Sequence, residues 1–536
     1  MQAKFIVVLG SVMSGLGKGV VTSSILKILN MYGYKVLPIK FDGYLNYDCG
    51  TMNPYRHGEV FVLDDTSEVD MDFGTYERFL NTNLTKDSSI TGGKLFSGII
   101  DMERTGEYLG EDVQIVPHLT GYIQKKLQDF AKRNKVDFVV IEVGGTVGDL
   151  ENGYFIEALR ELALNSDVAF VDVTYLPKIA VVGEQKTKPA QFAFRTLMST
   201  GILPDFLVCR GAENLSENAR KKLSVQTSLP KEYIIDDPDM KSAYMVPELL
   251  MKQNFDKLLL SKFGIHDRKI DASKLGKWKK SVDKIVVGSE RMERVRIAIV
   301  GKYVDLKDSY VSVREAIIHA GAALSVEPAI EWIESETLEK RSPSEVLAGV
   351  DGIIVPGGFG KRGIEGMINA IRYARENKIP YLGLCLGMQL MSIEFARNVC
   401  GLKGANSTEF DPKTKYNVID LMQSQVGLDK KGATMRLGAW EMKINDKGSI
   451  AYSAYRKSIV SERHRHRYEF NNAFRKPLER NGLVVSATTR DGRLVEAVEW
   501  KDSFGIATQA HPELKSRIEA PAPLFVAFVD ACKRKA

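Results

Sequence analysis

Short apolar runs alternate with amphipathic stretches along the first half of the chain. The runs begin at Phe5, Lys35, Asp137, Asp167 and Pro204, and stretches of helical periodicity separate them. Short apolar runs rich in β-branched residues, separated by helices, are typical of parallel strands that are buried on both faces. The first half is therefore predicted to be an α/β domain built on a parallel sheet.

The second half repeats this pattern from Val295 onward. Its later apolar runs are DGIIVPGGFG (351–360), IPYLGLCLG (379–387), GLVVSA (482–487) and FGIATQAHPE (504–513). Between the halves, residues 267–294 are polar and lysine-rich, without a sustained apolar face, and are predicted to be a linker. The predicted domains are therefore 1–266 and 295–536, both of the α/β class.

Composition and charge narrow the class of protein. A chain of 536 residues is too long for one hydrophobic core, and 44% apolar and 26% charged residues are typical of a globular protein. The net charge is +6, and residues 267–296, with ten basic and five acidic side chains, account for five of those charges. The excess belongs to the linker, so we expect no nucleic-acid partner.

The apolar runs and the cysteines indicate where the protein works. No run is long enough to cross a membrane, and Phe5–Leu9 passes into glycines rather than into a signal-peptide core. The five cysteines are scattered and form no C-x-x-C, which argues against a disulfide framework or a thiolate zinc site. We therefore expect a cytoplasmic protein with no membrane partner.

The segment GSVMSGLGKG (10–19) lies between a predicted strand and a predicted helix. Backbone N–H groups at such a turn cradle phosphates, and Lys18 adds a positive charge. The spacing departs from G-x-x-x-x-G-K-[ST], and Gly19 stands where that motif has its magnesium-binding hydroxyl. A metal ion must therefore be held elsewhere, with Asp72 and Glu142 as candidate ligands. The alternative is a structural glycine turn with solvated acids.

KTKPAQ (186–191) and Lys222 place further lysines near another strand end. Lysines that flank a proline are more often solvated than functional. On this pattern alone they do not indicate a binding site.

Cys385 lies in a G-x-C-x-G turn between an apolar strand and a helical stretch. Such a turn exposes a nucleophile, and the N-terminus of the helix favours its thiolate. A lone cysteine is more often buried and inert, but the flanking glycines favour the nucleophile. His511 is the preferred partner because Glu513 follows it closely, and Pro356–Gly360 offers N–H groups for an oxyanion.

ERHRHRYE (462–469) is the most basic cluster of the second half. A nucleic-acid stripe is one interpretation, but the cluster is short and flanked by acids. We interpret Arg467 instead as a residue that holds a substrate carboxylate. His464 and His466 also follow Cys385 in the chain and are the alternative partners of its thiol.

An ordered set of short motifs resembles the CTP synthase family over essentially the whole chain. The set includes SGLGKG, HGEVFV, DMDFG, IEVGGTVGD, GEQKTKP, VPGGFG, GLCLGMQ, TMRLG, ERHRHRYE and HPE. The resemblance implies an N-terminal P-loop-like amidoligase domain, similar to dethiobiotin synthetase, and a C-terminal class I glutamine amidotransferase domain. It also implies ATP-dependent amination of UTP to CTP through a 4-phosphorylated UTP, with ammonia taken from glutamine.

The resemblance further implies the roles of individual residues. ATP is expected at Gly15, Leu16, Gly17, Lys18, Gly19, Val20 and Asp72, and Mg²⁺ at Asp72 and Glu142. UTP and CTP are expected at Ser14, Asp149, Leu150, Glu151, Lys186, Thr187, Lys188, Pro189, Ala190, Gln191 and Lys222. Glutamine is expected at Gly358, Leu386, Gly387, Met388, Gln389, Glu409 and Arg467, with Cys385, His511 and Glu513 as the catalytic triad and His57 beside an ammonia passage.

Regulation and assembly are also implied by the resemblance. The family pattern implies a homotetramer with the pyrimidine nucleotide at a subunit interface, feedback inhibition by CTP and activation by GTP. The sequence departs from the pattern at Gly43 (usually Pro), Ala190 (usually Thr), Ala433 (usually Gly) and Ala510 (usually aromatic). Ala190 lies among the residues expected to bind the pyrimidine nucleotide, and Ala433 lies in the loop that the family uses with its activator GTP.

Two other functions compete with this one. A glutamine-dependent amidoligase that acts on a carboxylate, as cobyrinate amidases do, would use a related pair of domains, but KTKP and Lys222 favour a nucleotide. A nucleotide-switched scaffold or filament subunit would have a silent second half. Cys385, His511 and Glu513 argue against that function.

Overall fold

The chain folds into two compact units. A computed structural model describes residues 3–178, 183–286, 293–422 and 435–535. Unit 1 comprises Met1–Asp48 and Thr75–Val282, and unit 2 comprises Cys49–Gly74 and Asp283–Ala536. The segment 49–74 therefore packs with the second half of the chain, although it lies within the first half of the sequence.

The elements up to residue 286 are as follows. The strands are β1 (Lys4–Gly10), β2 (Val36–Asp42), β3 (Phe61–Val62), β4 (Glu68–Val69), β5 (Ser89–Thr91), β6 (Phe138–Val143), β7 (Val168–Tyr175), β8 (Phe206–Gly211) and β9 (Ile234–Pro238). The helices are α1 (Lys18–Met31), α2 (Pro54–His57), α3 (Asp72–Leu80), α4 (Gly92–Arg104), α5 (Thr120–Asn134), α6 (Gly153–Leu162), α7 (Lys188–Ser199), α8 (Glu217–Thr227), α9 (Val246–Lys252), α10 (Phe255–Lys262) and α11 (Ala272–Val286).

The elements from residue 293 onward complete the chain. The strands are β10 (Arg294–Gly301), β11 (Glu327–Glu334), β12 (Gly352–Val355), β13 (Tyr381–Leu384), β14 (Asn406–Ser407), β15 (Asn417–Leu421), β16 (Arg436–Ile444), β17 (Ile459–His466), β18 (Tyr468–Phe470), β19 (Leu483–Thr489), β20 (Val495–Trp500) and β21 (Gly505–Thr508). The helices are α12 (Val311–Leu324), α13 (Thr337–Lys340), α14 (Pro343–Val346), α15 (Ile364–Glu376), α16 (Leu386–Asn398), α17 (Ile450–Tyr455), α18 (Arg475–Arg480) and α19 (Pro523–Lys533).

The sheet of unit 1 has seven strands in the order β5-β2-β6-β1-β7-β8-β9, and every pair is parallel. Val8 of β1 pairs with Glu142 of β6 and with Val171 of β7, so the carboxyl ends of these strands meet at one edge. Helices α4, α5 and α6 bury one face of the sheet in an apolar cluster. The predicted parallel α/β architecture of the first half is confirmed.

The sheet of unit 2 has nine strands in the order β11-β10-β12-β13-β21-β20-β19-β16-β17. The first five are parallel, whereas β20, β19, β16 and β17 are antiparallel. The run GLVVSA, which the sequence pattern placed with the parallel strands, is β19. Only residues 490–494 separate β19 from β20, which is too short for a parallel crossover. Helices α15 and α16 cover one face, and α12 and α19 cover the other.

The segment predicted to be a linker contains a helix that packs on unit 1. Helix α11 buries Trp278, whose ring centre lies 5.4 Å from that of Phe79 and 5.8 Å from that of Tyr244. The ammonium of Lys27 lies 4.3 Å from the Trp278 ring centre. Only Trp278 and Val282 of this helix are buried, which is too few apolar positions to produce a visible periodicity.

None of the helices among the described residues is long and apolar enough to cross a bilayer.

Candidate functional site

Cys385 occupies the turn between β13 and α16. Its backbone has a φ of 52° and a ψ of −97°, a strained conformation for a residue with a side chain. A Cβ on Gly383 would lie 2.7 Å from the Cβ of Ala507, and one on Gly387 would lie 2.2 Å from the carbonyl oxygen of Val355. The flanking positions therefore accept only glycine, and the turn places the thiol at the N-terminus of α16.

His511 and Glu513 lie in the same pocket as the thiol. Nδ1 of His511 lies 2.7 Å from Oε1 of Glu513, which leaves Nε2 as the nitrogen for the sulfur. Burial lowers the pKa of His511, but the Glu513 carboxylate and the Cys385 thiol outweigh it and raise that pKa to about 10. A protonated imidazole beside a sulfur stabilises a negative charge there.

Gly357 lies against both members of this pair. A Cβ on Gly357 would lie 2.8 Å from Cε1 of His511 and 3.7 Å from Cβ of Cys385. The segment Pro356–Gly360 thus passes close enough to the sulfur to offer N–H groups to an oxyanion that forms there. The sequence pattern identified this segment but did not show that Gly357 makes room for the imidazole.

The segment 49–74 forms one wall of this pocket. Glu59 and Val60 line it together with Phe359 and Arg465. The carbonyl oxygen of Arg465 lies 3.8 Å from Sγ of Cys385. Nothing in the sequence HGEVFV indicates which distant part of the chain this segment contacts.

Two ion pairs fix the segment 49–74 to β17. Nε of Arg463 lies 2.6 Å from Oδ1 of Asp64, and Nε of Arg465 lies 2.7 Å from Oε1 of Glu68. Burial alone would raise the pKa of Asp64, but Arg463 holds it below its usual range. These two arginines of ERHRHRYE therefore make internal ion pairs and do not form an exposed basic stripe.

The two histidines of the same strand face a buried polar network. Nδ1 of His464 lies 3.1 Å from Nε2 of His466, and Nε2 of His464 lies 3.6 Å from Oε2 of Glu496. Burial, and then the positive charge of Arg436, hold the pKa of both histidines well below the usual range. Neither lines the pocket of Cys385 in the described part of the chain, so the geometry favours His511 as its partner.

The residues predicted to bind glutamine lie in three places in unit 2. Leu386–Gln389 form the first turn of α16, where Nε2 of Gln389 donates to the carbonyl oxygen of Tyr468 at 3.0 Å. Gly358 lines the thiol pocket, and Glu409 accepts a hydrogen bond from the N–H of Gly360 at 2.7 Å. Arg467 is half-buried between β17 and β18.

The predicted phosphate loop of unit 1 runs from the end of β1 to the start of α1. Gly15 and Gly17 have φ values of 74° and 85°, which only glycine adopts readily. The ammonium of Lys18 donates to the carbonyl oxygen of Gly145 at 2.6 Å. A Cβ on Gly10 would lie 2.7 Å from that ammonium, so the lysine is folded back beneath the loop. The other predicted loop residues, Ser14, Leu16, Gly19 and Val20, occupy the same turn and the first turn of α1.

Glu142 is the buried carboxylate at the end of β6. The hydroxyl of Tyr76 donates a hydrogen bond to its Oε2. The segment after β6 contacts the start of the predicted phosphate loop, because the N–H of Val147 donates to the carbonyl oxygen of Gly10 at 2.8 Å. Mg²⁺ binds oxygen ligands and often uses one or two carboxylates together with substrate phosphates, so a carboxylate beside this loop fits that ion. Asp72 begins α3 in unit 2 and stays a predicted ligand.

The lysines predicted for the pyrimidine nucleotide meet around one carboxylate. Nζ of Lys186 lies 3.1 Å from Oε2 of Glu184, and Nζ of Lys222 lies 2.8 Å from Oε1 of the same side chain. Hydrogen bonds from Lys222 and then from Lys186 lower the pKa of Glu184. The structure thereby brings together two cations that the sequence separates by a strand and a helix.

The other residues predicted for this nucleotide lie near the strand ends of unit 1. Nε2 of Gln191 donates to the hydroxyl of Thr187 at 2.9 Å, in the first turns of α7 that also contain Lys188 and Pro189. The N–H of Thr146 donates to Asp149 at 2.7 Å, and Leu150 and Glu151 are exposed.

Three of the four departures from the family pattern lie in described residues. Ala190 is fully buried in a small apolar cluster, and Ala510 is fully buried in unit 2. A Cβ on Gly43 would lie 2.6 Å from Oδ1 of Asn152, so glycine suits the local packing. Ala433 lies outside the described residues.

Asp172 is a fully buried carboxyl group near the phosphate loop that the sequence pattern did not single out. It stands in β7 opposite Leu9 and faces Ser11 and Lys18. Burial raises its pKa to about 7, and Ser11 and Lys18 offset only part of this effect. An acidic residue that interrupts a buried apolar strand is the signal that could have identified it.

We expect Asp172→Asn to stabilise the protein at alkaline pH relative to the wild type. The native pKa is raised to about 7 from an unfolded value near 3.8, so stability is lost as the pH rises through about 7. The advantage of the variant should therefore grow by about 3 kcal/mol between pH 5 and pH 8. Urea unfolding followed by circular dichroism measures this difference. Asp167→Asn, at an exposed carboxylate, is the control, and a difference that does not change with pH would contradict the assignment.

Comparison with known proteins identifies a family for each half of the chain. The family described as "CTP synthase N-terminus" matches residues 4–265, and "Glutamine amidotransferase class-I" matches residues 305–531. The CTP synthase of Pyrococcus abyssi is 52% identical over 99% of this chain and 98% of the relative. The CTP synthase of Caldanaerobacter subterraneus is 48% identical over 99% of this chain and 98% of the relative. The Trypanosoma brucei CTPS glutaminase domain with bound acivicin is 43% identical, with a TM-score of 0.43, over 45% of this chain and 95% of that one.

Proposed function

Because the chain belongs to the CTP synthase family, we propose that it converts UTP, ATP and glutamine into CTP by two linked reactions. Unit 2 would release ammonia from glutamine, and unit 1 would transfer it to UTP at the cost of ATP. The observation that carries the proposal is the glycine-flanked Cys385 beside the His511–Glu513 pair, in one chain with the Lys18 loop. That combination suits a glutamine-dependent ligase, which is the enzyme class of this chain.

Glutamine hydrolysis would begin with attack of the Cys385 sulfur on the side-chain amide. His511, oriented by Glu513, would hold the proton taken from the thiol and give it to the leaving ammonia. N–H groups of Pro356–Gly360 would stabilise the oxyanion, and Glu409 and Arg467 would hold the charged end of glutamine. Water, activated by the same imidazole, would then release glutamate from the sulfur.

Amination of UTP would require a better leaving group than the uracil 4-oxygen. Transfer of the γ-phosphoryl group of ATP to that oxygen turns it into phosphate, which ammonia then displaces. Lys18 would offset the charge of the phosphoryl group in flight, because its ammonium lies beneath a loop of backbone N–H groups. Mg²⁺, with Glu142 as one ligand, would supply further charge neutralisation.

The linkage of the two reactions follows from the chemistry of ammonia. In water at neutral pH nearly all free ammonia is ammonium, which has no lone pair to attack UTP. Ammonia formed within the protein and used before it reaches water keeps that lone pair. A glutaminase unit and a ligase unit on one chain therefore serve a single reaction, and His57 stays a predicted neighbour of the ammonia passage.

Regulation and assembly complete the proposal. Lys186 and Lys222 would bind the phosphates of UTP and of the inhibitor CTP. Their contacts with Glu184 bring the two ammonium groups close together, and two neighbouring positive charges suit a phosphate group. Activation by GTP and a homotetramer with this nucleotide site at a subunit interface are part of the same proposal. We propose that the protein works in the cytoplasm.

The decisive experiment is to incubate the purified protein with UTP, ATP, Mg²⁺ and glutamine and to measure CTP. Formation of CTP, ADP, phosphate and glutamate in equal amounts is the expected result. No CTP with either glutamine or ammonium chloride as nitrogen source would overturn the proposal. ADP formation that depends on a carboxylic acid in place of UTP would point to a carboxylate amidoligase instead.

We expect Gly357→Ala to lower the rate of glutamine hydrolysis about 10²-fold. The new methyl group would lie 2.8 Å from Cε1 of His511, and a displacement of the imidazole misaligns it with the sulfur. Release of glutamate from glutamine measures the effect. Gly448→Ala is the matched control, because its methyl group would approach its nearest neighbour only to 3.4 Å. A wild-type rate in Gly357→Ala would show that the imidazole is not in contact with this position.

A further inference from the structure

We propose that Lys302 is a positioning residue for glutamine hydrolysis, which holds the oxyanion segment Pro356–Gly360 in the geometry that Cys385 requires. The inference rests on the proposed glutaminase reaction of unit 2. Lys302 follows directly after β10, and only 1% of its surface is exposed. A buried lysine needs several acceptors for its ammonium, and in this structure they come from the oxyanion segment.

The ammonium of Lys302 binds two successive carbonyl groups of the oxyanion segment. It donates to the carbonyl oxygen of Phe359 at 3.2 Å and also to that of Gly360. The N–H of the same Phe359–Gly360 peptide donates to Oε1 of Glu409 at 2.7 Å. The buried ammonium of Lys302 and the half-buried carboxylate of Glu409 thus hold the two sides of the Phe359–Gly360 peptide, so its rotation would break both contacts.

Lys302 and Glu409 act on the reacting groups through the two glycines that precede the Phe359–Gly360 peptide. Gly357, Gly358 and Phe359 line the pocket with Cys385 and His511. A Cβ on Gly358 would lie 3.5 Å from Cδ of Lys302, so the stem of the lysine supports the outer side of this glycine. Lys302 does not line the pocket and is therefore expected to act through the segment that it supports.

The backbone of Lys302 is itself held from two directions. Its N–H donates to the hydroxyl of Tyr310 at 3.1 Å. Its carbonyl oxygen accepts hydrogen bonds from the hydroxyl of Tyr55 at 2.5 Å and from the guanidinium of Arg362. Tyr55 belongs to the segment 49–74, which also forms a wall of the pocket. A lysine anchored in this way is a rigid support for the oxyanion segment.

The charge of Lys302 gives the proposal a pH signature. Burial lowers the pKa of Lys302 to about 8, while Glu409 opposes this effect and Arg362 adds to it. Burial likewise raises the pKa of Glu409, opposed by the N–H of Gly360 and by Lys302. Above pH 8 the neutral amine is a weaker donor and no longer balances the carboxylate. Glutamine hydrolysis should therefore decline on the alkaline side with an apparent pKa near 8.

The test compares the full chain with Lys302→Met, Lys302→Arg and the control Lys443→Met, which changes an exposed lysine of β16. Glutamate release is measured against glutamine concentration from pH 6.5 to 9.5. Lys302→Met should lower kcat about 10²-fold with little change in KM, because the lost support acts mainly in the transition state. It should also lack the alkaline decline near pH 8, whereas Lys443→Met should match the wild type.

Thermal unfolding followed by circular dichroism shows whether unit 2 of each variant is folded. Ammonia-dependent CTP synthesis does not need the oxyanion segment and shows whether unit 1 is intact. A Lys302→Met enzyme with this activity intact and a wild-type kcat for glutamine would overturn the proposal. If Lys302→Met loses both activities, Lys302→Arg decides, because its guanidinium stays charged and should move the alkaline decline above pH 9. A decline near pH 8 in both wild type and Lys302→Arg would overturn it. A wild-type enzyme that releases no glutamate would instead overturn the proposed function.

Discussion

Replacement of Cys385 by alanine is expected to abolish glutamine-dependent CTP synthesis and to leave ammonia-dependent synthesis intact. The sulfur lies at the N-terminus of α16 in the pocket that contains His511, and in the proposed mechanism it attacks the amide of glutamine. Removal of a nucleophile that acts in a triad typically costs at least about 10⁴-fold in kcat. The rates of CTP formation with glutamine and with ammonium chloride are measured on one preparation of the variant.

The control for this prediction is Cys400→Ala. Cys400 is a second cysteine of unit 2, only partly buried and outside the pocket lining, so both nitrogen sources should remain active. A structural role of Cys385 is the competing explanation, because its backbone is strained. If Cys385→Ala loses ammonia-dependent synthesis as well, the cysteine is needed for the fold and not for glutamine alone.

Sequence patterns predicted the elements that end at the sites. Buried apolar runs predicted β1, β6 and β13, and glycines close after β1 and β13 marked the turns at Lys18 and Cys385. These turns are predictable because few residues join a parallel strand to the helix that follows it. A reactive residue in such a turn therefore lies at the carboxyl end of the strand, where ligands bind in α/β sheets. For the same reason the sequence alone identifies a candidate nucleophile and a candidate phosphate loop.

Contacts between distant parts of the chain were not predictable in this way. The pairing of Asp64 and Glu68 with Arg463 and Arg465 joins residues almost 400 positions apart, and charged residues are common enough that no pattern selects these pairs. Lys302 was missed because a lysine after a strand is usually solvated. Its role depends on the loop that folds over it, and burial is a property of the tertiary structure.

Replacement of Lys18 by alanine is expected to abolish CTP synthesis from glutamine and from ammonia alike. In the proposed mechanism phosphorylation of UTP precedes the entry of nitrogen, so supplying ammonium chloride cannot bypass a defect in that step. Loss of a positive charge that stabilises the phosphoryl group during its transfer lowers the rate on the order of 10²- to 10³-fold. Rates of CTP and ADP formation with both nitrogen sources measure the effect, and Lys125→Ala, an exposed lysine of α5, is the control.

A second variant separates the charge of Lys18 from its packing. The aliphatic stem of Lys18 fills the space beside Gly10, where a Cβ would lie 2.6 Å from Cδ of the lysine. Lys18→Met keeps most of that stem and removes the ammonium, so it should be as inactive as Lys18→Ala while glutamine hydrolysis in unit 2 continues. Recovery of CTP synthesis in Lys18→Met would mean that the lysine shapes the loop and that another group balances the phosphate charge. Full inactivity with intact glutamate release would place the defect in phosphoryl transfer.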